Sequence, residues 1–90
     1  MKITNTGAEK LANAVVIHAA RDYLDAKTKI KNNPDDKKII KECEIELKSI
    51  KKFFRSQWYG LLTTIDGDEM IRRLDEAFEN GQTTVDYILV

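Results

Sequence analysis

The side chains most able to do chemistry are few and far apart. His18 is the only histidine and Cys43 the only cysteine. A hydrolytic or transfer site needs a nucleophile and a base, with the base oriented by a third group. Asp22 stands four residues after His18, one helical turn on, and can accept its proton as a local helix pair. No nucleophile accompanies them. A zinc site draws its ligands from several Cys, His and carboxylate side chains, and one His without neighbouring Cys does not start one. A reactive thiol needs an electropositive, accessible setting. Glu42 and Glu44 flank Cys43 directly, and its place on an apolar row reads as a small core residue. Asp66-Gly67-Asp68-Glu69 gathers three carboxylates. A calcium loop, however, needs about twelve residues with ligands at alternate positions. Helix capping accounts for the cluster, with Asp66 as N-cap and Glu69 three residues on. The expectation is no catalytic residue, no metal, no cofactor and no enzyme activity.

Charge offers two candidate surfaces. The chain has 15 Lys and Arg against 15 Asp and Glu, so no global field selects nucleic acid or an acidic membrane. The distribution is polar along the chain: residues 27–55 carry a net +5 and residues 56–90 a net −5. Lys27, Lys29, Lys31, Lys37, Lys38 and Lys41 crowd one stretch and form a candidate phosphate-binding surface, with Lys48, Lys51, Lys52 and Arg55 further on. Asp68, Asp75, Glu76 and Glu79 form a candidate acidic protein-binding face. Gln57 to Phe78 reads as helix, turn, helix, but the second of those helices is acidic and would face DNA phosphates badly.

Three helices must position these groups. Ninety residues make one small helical domain with a modest core. Thr6-Gly7-Ala8-Glu9 matches a capping box, and a first helix is expected from Gly7 to about Lys31. Ala12, Val16, Ala19, Tyr23, Ala26 and Ile30 recur at heptad spacing along it. Leu11, Val15, Ile17 and Leu24 widen that face, so a third element must cover part of it. Asn33 suits an N-cap and Pro34 a first helical position, which predicts a second helix from Pro34 to about Arg55. Its row is Ile40, Cys43, Leu47, Ile50 and Phe54, with Ile39 and Phe53 beside it. Folded into an antiparallel hairpin, the two rows bring Val16 to Phe54 and Ala12 near Trp58. Ser56 can start a separate short helix, or the second helix continues unbroken through Gly60 to Leu62. A third helix is expected over Gly67 to Glu79, with Met70, Ile71, Leu74, Ala77 and Phe78 inward and Asn80-Gly81 as its stop. The tail Gln82 to Val90 has strand composition, with Tyr87 to Val90 its apolar end, and is expected to cover the bundle in extended form or pair two copies into a homodimer.

Phe53-Phe54-Arg55-Ser56-Gln57-Trp58-Tyr59, Leu62-Thr63, Asp66-Gly67 and Ile71-Arg72-Arg73-Leu74 resemble a type of small protein. Such proteins come from phages, prophages and mobile elements of Gram-positive bacteria and share an FFRSxW core followed by LTxxDG. The resemblance implies a phage-derived accessory protein in a bacterial cytoplasm that acts by binding a host or phage protein. The longest apolar run, Ala14 to Ile17, is far short of the roughly 20 residues that span a bilayer, so no membrane partner is expected. The combined expectation is an all-α, cytoplasmic, protein-binding inhibitor or adaptor. Arg55, Gln57 and Tyr59 are its contact residues least accounted for by packing, and nucleic acid is the alternative partner.

Overall fold

The computed structural model describes residues 7–81, with side chains from residue 14 onward. The chain forms α1 (Gly7–Asn32), α2 (Lys37–Phe54), α3 (Gln57–Leu62) and α4 (Gly67–Glu79). The fold is all-α: α1 and α2 make a long antiparallel hairpin, and α3 and α4 pack onto it. The proposed Thr6 cap and the segment after Gly81, with its suggested pairing between copies, lie outside the described residues.

The turn between α1 and α2 sits later than Asn33 and Pro34 imply. Asn33 instead closes α1, its side-chain amide donating to the Lys29 carbonyl at 2.8 Å. Pro34 and Asp35 form the turn, and Asp36 caps α2 by accepting from the Ile39 amide at 3.1 Å. An N-cap must have extended backbone and a short acceptor, and Asp36 supplies both at φ −95 and ψ 93.

The core runs along the groove between the long helices. Val16, Ala20, Tyr23 and Leu24 of α1 meet Ile50 and Phe54 of α2, Tyr59 of α3, and Met70, Ile71, Leu74 and Ala77 of α4. The inward face of α4 is the one its spacing predicts. On α1 the buried face is broader than the heptad row. Ala20 is fully buried while Ala19 is only half-buried, because α4 packs beside α2 on the same helix. Ala26 and Cys43 are buried too, yet stand outside the main cluster, toward the hairpin tip. The stop at the end of α4 is a glycine C-cap. Gly81 takes φ +76, a left-handed conformation that costs glycine little, and donates to the Phe78 carbonyl at 3.1 Å.

Candidate functional site

The most distinctive surface lies at the corner where α2 ends and α3 begins. Helix α2 stops at Phe54, so it does not continue to Leu62. The Ser56 hydroxyl serves both helices: it donates to the Phe53 carbonyl at 2.6 Å and accepts from the Tyr59 amide at 3.2 Å. The break resets the helical register. Tyr59 and Leu62 turn inward, and Gln57, Trp58 and Leu61 turn outward.

Two sequence expectations are corrected here. Tyr59, expected at a contact surface, is 2% exposed. Its ring meets Phe54 edge-on at 5.3 Å and Phe53 at 5.7 Å, the geometry that aromatic quadrupoles favour. Its hydroxyl is buried with no hydrogen-bond partner among the described residues. Burial, and then the nearby Asp66 carboxylate, raise its pKa, with Arg73 opposing. Trp58, expected to complete the α1–α2 row, is instead 56% exposed, and Leu61 one turn on is 76% exposed. A straight continuation of α2 would have carried Trp58 into the row. The Ser56 cap puts Tyr59 there instead.

The start of α4 fixes the other side of the corner. Asp66 caps it by accepting from the Glu69 amide at 3.1 Å. Gly67 lies against the last turn of α2, where a Cβ would collide with the Phe54 carbonyl group. Arg55 reaches across to Asp68 at 2.8 Å. Between α3 and α4 an open cleft of about 540 Å³ is lined by Arg55, Tyr59, Thr63, Thr64 and Asp68, among others.

The acidic face is largely neutralised from within the fold. Asp75 accepts from the Tyr23 hydroxyl at 2.6 Å and from Lys27 at 2.7 Å, tying α4 to α1. Burial pushes the Asp75 pKa up, but the hydrogen bonds from Lys27 and Tyr23 outweigh it and hold the carboxyl below its usual value. Burial and then that same carboxylate raise the Tyr23 phenol pKa far above its ordinary value. Arg72 bridges Glu69 and Glu76, and Arg73 also reaches Glu69. Hydrogen bonds from Arg72 and Arg73 pull the Glu69 carboxyl down to about 2. Asp68, Asp75 and Glu76 of the candidate acidic face are therefore each paired with a basic side chain, and Glu79 stands exposed beyond them.

The basic stretch is divided as well. Lys27 is held by Asp75 and lies over the Phe78 ring at 5.2 Å, and Lys31 lies over the same ring at 5.7 Å. Lys29, Lys37, Lys38 and Lys41 stay exposed. The hairpin-end lysines thus split between two helices and two roles. Sequence reasoning put Lys27 and Asp75 on opposing candidate surfaces, 48 residues apart, and the fold pairs them with each other. His18 is exposed and Cys43 is a buried free thiol. Among the described residues no cluster of His, Cys, Asp and Glu could hold a metal, and no helix is long and apolar enough to cross a membrane.

No protein-family model matches this chain, and no curated protein and no solved structure matches it. The functional reading therefore rests on the surface itself.

Proposed function

We propose that this chain is a non-enzymatic binding protein whose contact surface is the outer face of α3: Gln57, Trp58 and Leu61. The carrying observation is the side-by-side exposure of Trp58 and Leu61 on a helix whose other face is pinned into the core. Tryptophan is the residue most enriched at binding hot spots, because one rigid side chain supplies a large apolar area at little entropic cost. The pinning matters for the same reason. Tyr59 and the Ser56 cap hold α3 in place before any partner arrives, so little ordering cost is left to binding. The partner fitting this surface is a protein with an apolar pocket, which suits an inhibitor or adaptor.

The test is affinity capture from host lysate with the intact chain and with a Trp58→Ala, Leu61→Ala double variant. Both positions are exposed, so the variant keeps its helical circular dichroism. A partner captured by the parent chain and lost by the variant is the expected result. Capture of the same proteins by both would overturn the assignment of α3.

A further inference from the structure

Helix α2 carries two rows with the same spacing on opposite sides. The inner row, Ile40, Cys43, Leu47, Ile50 and Phe54, packs in the bundle. The outer row is Lys38, Lys41, Ile45, Lys48 and Lys52, again spaced 3-4-3-4, and all five residues are exposed. The two rows lie about 160° apart around the helix, so the outer one points away from the core. Ile45, at its centre, is 61% exposed. None of the four lysines makes an ion pair or hydrogen bond among the described residues.

We propose that this row is a second docking surface, built for an acidic amphipathic helix. The spacing 3-4-3-4 is that of one helix lying along another. An apolar centre with a charged rim is the anatomy of a protein interface. The charge complement is a helix with an apolar residue at its centre and carboxylates on both sides along its own row. A second copy of this chain does not fit. Two-fold pairing about Ile45 would set Lys41 against Lys48 and Lys38 against Lys52, and such like-charge contacts are unfavourable. A nucleic-acid backbone fits less well, because its phosphates would satisfy the lysines but leave Ile45 against charge. The surface is distinct from α3, so a chain that uses both joins two partners.

The test uses the full chain and two labelled probes followed by fluorescence anisotropy. One is a helical peptide carrying a Glu-Glu-Leu-Glu-Glu row at 3-4-3-4 spacing, and the other is duplex DNA of random sequence. The peptide is expected to bind saturably at physiological salt and more tightly than the DNA. Lys41→Glu with Lys48→Glu should weaken it by about tenfold or more, since opposed charges become repulsive. Ile45→Ala should weaken it about fivefold through the lost apolar contact. Trp58→Ala should leave it unchanged, which separates this surface from α3. Three results would each overturn the proposal: no peptide binding, peptide binding indifferent to Ile45→Ala, or tighter binding to the DNA. Circular dichroism on each variant shows that helicity is kept.

Discussion

Gly67 and Gly60 make a matched pair for testing the corner. Both are helical glycines, and replacing either with alanine lowers the entropy of the unfolded chain and favours the helix by about 0.5–1 kcal/mol. Their surroundings differ. A Cβ on Gly60 meets nothing within 4 Å among the described residues. A Cβ on Gly67 would lie 2.7 Å from the Phe54 carbonyl carbon and closer still to its oxygen. Carbon and oxygen in close non-bonded contact sit at about 3.3 Å or more. The obstacle is backbone, which has no rotamer to swing away, so α4 must lift off the last turn of α2. Forcing atoms into a packed site costs about 1–3 kcal/mol. Against the propensity gain, Gly67→Ala is expected to destabilise by about 1–2 kcal/mol net, and Gly60→Ala to stabilise by about 0.5–1 kcal/mol. For a domain of this size, 1 kcal/mol moves Tm by about 4–8 °C. Thermal unfolding followed by far-UV circular dichroism should therefore show Gly67→Ala melting about 10 °C lower and Gly60→Ala a few degrees higher. A Gly67→Ala variant as stable as the parent would refute the close packing of α4 on α2.

Other substitutions probe the remaining contacts. Tyr59→Phe should be neutral or stabilising by up to about 1 kcal/mol, because it removes a buried hydroxyl that has no partner among the described residues, whereas Tyr59→Ala should cost about 3–5 kcal/mol. Denaturant titration of both variants checks this. Arg55→Ala should change stability by no more than about 0.5 kcal/mol, since both partners in its bridge to Asp68 are mostly exposed, and the same titration reads it. The Tyr23–Asp75–Lys27 cluster sets a pH window. Asp75 has a depressed folded pKa, so its contribution is present above its unfolded value of about 3.9 and is lost as pH falls through the folded value. Tyr23 has a raised folded pKa, so its contribution is present below its unfolded value of about 10 and is lost as pH rises beyond that. Asp75→Asn should flatten the acid side of the stability profile and Tyr23→Phe the alkaline side, as read by chemical denaturation across pH.

The helices are legible in the sequence because their signals are local. Asp66 with Glu69 and Asn80 with Gly81 bracket α4 without reference to the rest of the chain, and its apolar spacing gives the buried face directly. The turn is less legible because two capping choices compete within four residues. Asn33 and Pro34 look as good as Asp36, and the closure of α1 on Asn33 decides between them. The corner shows how one local choice decides a surface. Whether Trp58 or Tyr59 faces inward depends on whether the helix breaks at Ser56. Aromatic composition is the same either way. The Lys27–Asp75 pair was illegible for the opposite reason: it joins helices distant in sequence, and neither residue's neighbours announce it. The outer lysine row was visible as charge. It took the exposure of Ile45 to show that the row has a centre.

The burial of Cys43 apart from the main cluster has a consequence for how the molecule opens. The structure is long and narrow, 55 Å by 25 Å by 20 Å, and its layers are unequal along that length. The corner end holds residues of four helices in one cluster, while Ala26 and Cys43 pack outside it and α4 reaches α1 through Phe78 at Lys27 and Lys31, short of the turn at Pro34 and Asp35. Local opening starts where the fewest apolar contacts resist it. Amide exchange should therefore be fastest toward the turn and slow progressively toward Phe54. Cys43 sits at that boundary as the sole thiol, so its rate of alkylation is a built-in clock for the fraying of the tip, readable without any engineered label.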